Sequence, residues 1–376
     1  MNIDFVRTLR TGGTVPEQAR QRIELLPEPV LMPLLLTLMC CGLGVLYSAL
    51  HGQTEGLSSQ GIKFGVGFMI MFVVAHVHPR EFLRFGPLLY LGGIFLLVLV
   101  LLIGDVAKGG QRWLEIGPIP RFQPSELLKL AVPLTVAWYL HDRPQPVRFR
   151  DICVALLIMV VPAGLVIVQP DLGTGLLILA AGGSVLFLAG LPWIYPLAAV
   201  GSFAAAAPVL WNFLHEYQQR RILTLFDPES DPLGAGWNII QSTTAIGSGG
   251  LTGKGVLQGT QSGLDFLPEA QTDFILAVIG EEFGFVGAIG FLVLYLLIIA
   301  RSMYIAMVAR RNFDRLVAGS IGVTFFVYVF VNVGMVCGLL PVVGVPLPLV
   351  SYGGTSALTL LFTFGVLISI YKHRNN

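Results

Sequence analysis

Residues 266–300 read FLPEAQTDFILAVIGEEFGFVGAIGFLVLYLLIIA. From Phe274 to Ala300 the run is apolar except for Glu281 and Glu282. A stretch of that length crosses a hydrocarbon core as a helix. Carboxylates exposed to lipid are costly, so charges placed in a span are expected to be paired, protonated or in contact with water. Asp273 stands at the edge of this run and two glutamates stand inside it, at about 12 Å greater depth if the helix is regular.

The rest of the chain has the same character. Of its 376 residues 55% are hydrophobic and 12% charged, with a mean hydropathy of +0.77, far beyond what one soluble core of this length uses. Spanning backbone must satisfy its own hydrogen bonds, and the alternating pattern of a barrel is absent. The expected fold is therefore all-α, a polytopic membrane protein with about ten transmembrane helices. We place them near 30–50, 62–78, 84–104, 124–140, 152–168, 172–190, 193–213, 274–300, 316–340 and 351–371. The expected domain plan is an N-terminal segment 1–29, a single membrane domain 30–371 and a tail 372–376. A long polar segment, 214–273, separates the seventh helix from the eighth.

Lysine and arginine set the orientation, because they are retained on the cytoplasmic side. With the N-terminus inside, 15 of them fall on the cytoplasmic segments and 8 on the opposite side. Both termini are thus expected in the cytoplasm. The eight exceptions are Lys63, Lys108, Arg112, Arg121, Lys129, Arg220, Arg221 and Lys254, clustered mostly in two external segments near 105–123 and 214–273. A net charge of +1 argues against nucleic acid as a partner. Cys40, Cys41, Cys153 and Cys337 lie in apolar runs without metal or disulfide spacing, and we expect them to be packing residues. Residues 1–29 lack the apolar core of a signal peptide, and no cleavage is expected.

Three polar constellations stand out. GGQRWLEIGPIPRFQPSELLKL, 109–130, places Arg112, Arg121 and Gln123 before the fourth span and carries Glu126 and Lys129 into it. The last two are three residues apart and share a helical face, either as a neutralising ion pair or as the lining of a substrate cavity. QPDLGTG, 169–175, sets Asp171 between two spans, as a helix N-cap, a site residue, or both. Asp273 admits the same pair of readings, cap or catalyst. The glycine-rich GSGGLTGKG, 247–255, fails as a nucleotide loop: Ser248 stands where a glycine is needed and Gly255 where Ser or Thr is needed. Its backbone N–H groups, with Arg220, Arg221 or Lys254, could still hold an anion. The histidines are scattered, with His76 and His78 expected to face solvent. The proline- and glycine-rich LLPVVGVPLPLVSYGGTSAL, 339–358, reads as extended backbone lining a cavity.

These motifs together closely resemble the SEDS family of shape, elongation, division and sporulation proteins. VQPDLGTG, NIIQSTTAIGSGGLTGKG and DFLPEAQTDFILAVIGEEFG occur in the family's order, and the likeness covers nearly the whole chain. Two longer stretches, 227–262 and 340–354, favour the elongation branch over the division branch. The resemblance implies ten membrane helices and a glycosyltransferase in the bacterial cytoplasmic (inner) membrane. Its substrate would be lipid II, the undecaprenyl-pyrophosphate-linked disaccharide pentapeptide, polymerised into peptidoglycan strands on the outer face. It also implies a class B penicillin-binding protein as partner, and it carries the family's catalytic aspartate onto Asp273. Ala270 and Gln271 depart from the family pattern, which often has a charged residue and a histidine there.

A sugar pyrophosphate leaves as an anion, so one base suffices where a glycosidase needs two carboxylates. Asp273 would take the proton of the acceptor 4-hydroxyl. Arg112, Arg121, Lys129 and Arg220 are the candidate cations for the departing pyrophosphate, a divalent metal such as magnesium or manganese being the alternative. Glu126, Lys129, Gln123 and Asp171 would line the substrate cavity. A lipid II flippase and a noncatalytic scaffold are the competing readings, the first because intramembrane charges also mark transport paths.

Overall fold

The computed structural model describes residues 28–374 apart from 108–109, 115–121, 145, 215, 232–233, 264–265 and 268. Arg121, Lys108 and nearly all of the N-terminal segment therefore lie outside the described residues. The first seven apolar helices are α1 (Leu31–Ala49), α2 (Thr54–Val74), α3 (Pro79–Ile103), α4 (Pro124–Leu140), α5 (Phe149–Val168), α6 (Leu172–Leu188) and α7 (Ile194–Trp211). A short antiparallel hairpin, β1 (Asp105–Ala107) and β2 (Gly110–Trp113), precedes α4. The long segment that follows α7 is largely helical, with α8 (Glu216–Phe226), α9 (Ala235–Gly249) and the single turn α10 (Thr260–Gly263). The last three long helices are α11 (Ile275–Val308), α12 (Asn312–Val336) and α13 (Thr355–Lys372).

Among the described residues, seven helices are long and apolar enough to cross a membrane, and α6 and α7 are shorter apolar helices. The tenth, α4, is the polar exception. From Pro124 to Ala137 every residue except Leu127 is buried, so this helix is shielded by protein and not by lipid. That placement is what makes Glu126 and Lys129 tolerable. Close approach of neighbours follows small residues, as expected where lipid gives no hydrophobic drive. Leu128 of α4 seats on Gly93 of α3, where a Cβ would come within 2.8 Å of it. The chain is a multi-pass membrane protein.

The stretch 274–300 differs from a plain span. α11 is broken at Gly284, whose φ of 66° and ψ of −163° are open to glycine at little cost. Ile275–Phe283 is a half-helix, and the 24 residues from Phe285 to Val308 are long enough to cross by themselves. The glycine-rich segment 250–257 fills the break. Lys254 N and Gly255 N donate to the carbonyls of Glu281 and Glu282, both at 3.0 Å, while Phe285 N and Val286 N donate to Gly250 O and Leu251 O. A Cβ on Gly253 would fall 2.1 Å from Glu282 O, so the strap can lie this close because that residue is glycine.

Both glutamates end at this strap. Glu281 Oε1 meets Lys254 Nζ at 2.7 Å and accepts from Thr260 N and Gln261 N. Glu282 Oε1 accepts from Ser48 Oγ at 2.5 Å and from Leu257 N at 3.2 Å. Each carboxylate is thus held by an ion pair or hydrogen bonds, as expected of charges placed in a span. The cysteines also depart from expectation: all four are unpaired thiols with exposed side chains, outside the packed core.

Candidate active site

Asp171 does two jobs. It caps α6, Oδ1 accepting from Thr174 N at 3.1 Å, as short acidic residues do at helix starts. Its Oδ2 accepts from Gln123 Nε2 at 3.0 Å and lies 3.8 Å from Arg112 Nη1. Gln123 is the N-cap residue of α4 but makes no cap bond with its side chain, which reaches α6 instead. Arg112, on β2, also donates to the carbonyls of Gln169 and Pro170, so it staples the hairpin to the α5–α6 turn.

One turn deeper on α4, Lys129 Nζ and Glu126 Oε1 pair at 2.5 Å, each side chain 8% exposed. The ammonium also lies 5.2 Å from the centroid of the Tyr328 ring on α12. The cavity they share with Thr324, Thr359 and Thr363 measures about 30 Å³. That is room for one or two waters, far short of a sugar.

Asp273 is half-buried at the mouth of the half-helix. The first helical residue is Ile275 and Phe274 takes the cap position without a side-chain cap bond, so the aspartate is not the N-cap of this helix. Its surroundings come from distant segments. Asn332 Nδ2, fully buried on α12, donates at 2.8 Å to both Asp273 O and Val345 O. Ser351 Oγ donates to Thr272 O, and Tyr352 N donates to Gln271 O at 2.8 Å. The extended segment 341–347 runs between this point and α6. A Cβ at Gly344 would lie 3.5 Å from Asp273 Oδ2, and one at Gly173 would lie 2.7 Å from Val343 O. The predicted wall of extended backbone thus links Asp273 to the helix that Asp171 caps.

Most of the predicted residues are brought to one end of the bundle. Arg112, Gln123 and Asp171 form one cluster and Glu126 with Lys129 a second, tied to the segment 341–347 through Tyr328, which packs on Val345. Arg220 stands apart, exposed on α8. Of the cations placed against the orientation rule, Lys63 sits over the Tyr352 ring at 4.5 Å and Lys254 holds Glu281. Sequence reading missed Asn332, Tyr328 and Ser351; an amide inside an apolar run, as in FVNVG, was the available signal.

A helical bundle with this polar cluster at one end, beside a broken helix and an extended wall, defines the class: a multi-pass membrane protein whose candidate site is built where its helices start and break. Residues 29–376 match the FtsW/RodA/SpoVE family, described as cell cycle proteins. The chain is 50% identical over 349 residues to the peptidoglycan glycosyltransferase MrdB of Escherichia coli K12, covering 92% of this chain and 94% of that one. A solved structure described as the coordination of polymerization and crosslinking by a peptidoglycan synthase complex superposes with a TM-score of 0.82 at 32% identity, covering 92% of this chain and 98% of that one. The crystal structure of the rod shape determining protein RodA of Thermus thermophilus gives 0.71 at 30%, over 92% and 97%. The chain belongs to this family, the SEDS proteins.

Proposed function

We propose that this protein is a peptidoglycan glycosyltransferase of the elongation type, which polymerises lipid II on the outer face of the bacterial cytoplasmic membrane and so serves rod shape. The observation that carries the reading is the setting of Asp273: a half-exposed carboxylate at the mouth of a half-helix, its backbone held by Asn332 and its side chain beside Gly344. The resemblance to MrdB and RodA supports the elongation branch over the division branch.

In this reading Asp273 accepts the proton of the acceptor sugar's 4-hydroxyl as that oxygen attacks the donor's anomeric carbon and inverts it. A base in this role contributes about 10²–10⁴-fold. The pyrophosphate departs as an anion, and Arg112 is the cation best placed to meet it. Its side chain is 28% exposed beside Asp171 and Gln123. Arg121 and Arg220 remain proposals for the same work. Lys129, sealed against Glu126, sets the potential beneath the site. Among the described residues no group of three or more His, Cys, Asp or Glu could hold a metal. A magnesium or manganese ion would be held largely through the substrate's own phosphates.

Residues 30–371 act as one membrane domain, with 1–29 and 372–376 in the cytoplasm and 214–273 outside. The partner is a class B penicillin-binding protein, a reading supported by the synthase complex that superposes on this chain. Purified protein and its partner, given lipid II, should yield glycan strands. Transfer of lipid II across vesicle membranes without polymer would favour the flippase reading instead.

A further inference from the structure

At the end of the bundle away from Asp273, where α3 and α12 begin and α4 ends, lies a second cavity of about 300 Å³. This is the low end of the volumes that small ligands occupy. Its wall includes Arg80, Leu83, His141, Asp142, Arg311 and Asp314. Asp314 decides its chemistry. The residue is 9% exposed, and its Oδ1 is buried without a hydrogen-bond partner. A buried acceptor in that state calls for a donor from the cavity. Asp142 is already occupied by His141 Nε2 at 3.1 Å.

The opposite half of the cavity calls for an anion. Arg80 and Arg311 stand at the N-terminal ends of α3 and α12, where helix dipoles add positive potential. Arg311, the N-cap residue of α12, supplies no side-chain cap, so first-turn N–H groups of that helix are left for a ligand. Burial and then the charges of His373, Arg311 and Arg80 lower the pKa of His78 beside them, a sign of how positive this corner is. Further along α3, Phe85, Leu88 and Leu91, spaced three apart, are 45%, 59% and 61% exposed, an apolar stripe on the helix that carries Arg80 and one suited to acyl chains.

We propose that this cavity binds the headgroup of an aminophospholipid of the phosphatidylethanolamine class, its phosphate held by Arg80 and Arg311 and its ammonium donating to Asp314. One site then satisfies the orphaned Asp314 oxygen and the two guanidinium groups together.

The test is native mass spectrometry of the purified full chain, exchanged into detergent with equal amounts of phosphatidylethanolamine, phosphatidylcholine and phosphatidylglycerol. One phosphatidylethanolamine should be retained about tenfold over either competitor, the worth of one charged hydrogen bond, since neither competitor offers an N–H donor. Asp314→Asn should abolish that preference. Arg80→Gln, on the exposed rim, should lower retention of all three and keeps the test usable if Asp314→Asn does not fold. Equal retention of the three lipids by the wild type, or an undiminished preference in Asp314→Asn, would overturn the proposal. So would binding of soluble O-phosphoethanolamine as tight as that of the lipid, which would assign the cavity to a free metabolite.

Discussion

Asn332 Nδ2 donates to the main-chain carbonyl of Asp273 at 2.8 Å and, with its other hydrogen, to Val345 O at the same distance. One buried amide on α12 therefore fixes the spacing between the proposed base and the extended wall opposite it. Asn332→Leu should leave two buried carbonyls unpaired, at about 1–3 kcal/mol each. Misplacement of a catalytic group by about 1 Å costs about 10²-fold. We expect kcat for lipid II polymerisation to fall by that order while KM moves little, as steady-state kinetics with matched folded protein would show.

The Glu126–Lys129 pair separates structure from function. Lys129→Met strands a buried carboxylate and should destabilise by about 3–5 kcal/mol, whereas Glu126→Gln with Lys129→Met removes both charges and should recover much of that. Thermal unfolding in detergent measures the first effect. If the pair sets the potential under the site, the double variant regains stability without regaining polymerase activity.

The strap across the break in α11 is predicted to hold the half-helix that leads to Asp273. Gly253→Ala places a methyl group 2.1 Å from Glu282 O at a φ of +79°, and should destabilise by at least about 1–3 kcal/mol. Gly247→Ala, on α9 with nothing within 4 Å, should be neutral or stabilising by about 0.5–1 kcal/mol. Unfolding midpoints of the two variants make the comparison.

His78 gives a pH signature at the far end of the bundle. Burial, then His373, Arg311 and Arg80, hold its pKa below the ordinary 6.5. The unfolded chain then takes up the proton first as pH falls. The stabilising contribution is complete above 6.5 and is lost as the pH drops through the folded value. His78→Asn, which keeps an acceptor for Arg80 N, should flatten the loss seen in melting curves as the pH falls below 6.5.

The spans were legible because about 20 apolar residues leave few alternatives to a crossing helix. Gln123, Asp171 and the Glu126–Lys129 pair were legible because polar groups at span ends and inside spans need partners. The break at Gly284 was hidden, since apolar residues on both sides continue one hydrophobic run through it. The partner of Glu281 was equally hidden: Lys254 lies 27 residues earlier, and no local period connects a loop lysine to a helix glutamate. Arg220 was singled out by charge alone, which does not say which face of α8 it occupies.

The central claim is that Asp273 is the base of a lipid II polymerase. It is tested by giving purified lipid II to the wild type and to Asp273→Asn, each with its penicillin-binding partner and matched for folding and complex formation. Glycan strands from the wild type and a rate lower by about 10²–10⁴-fold from the variant are expected. Equal strand synthesis by the two proteins would contradict the account.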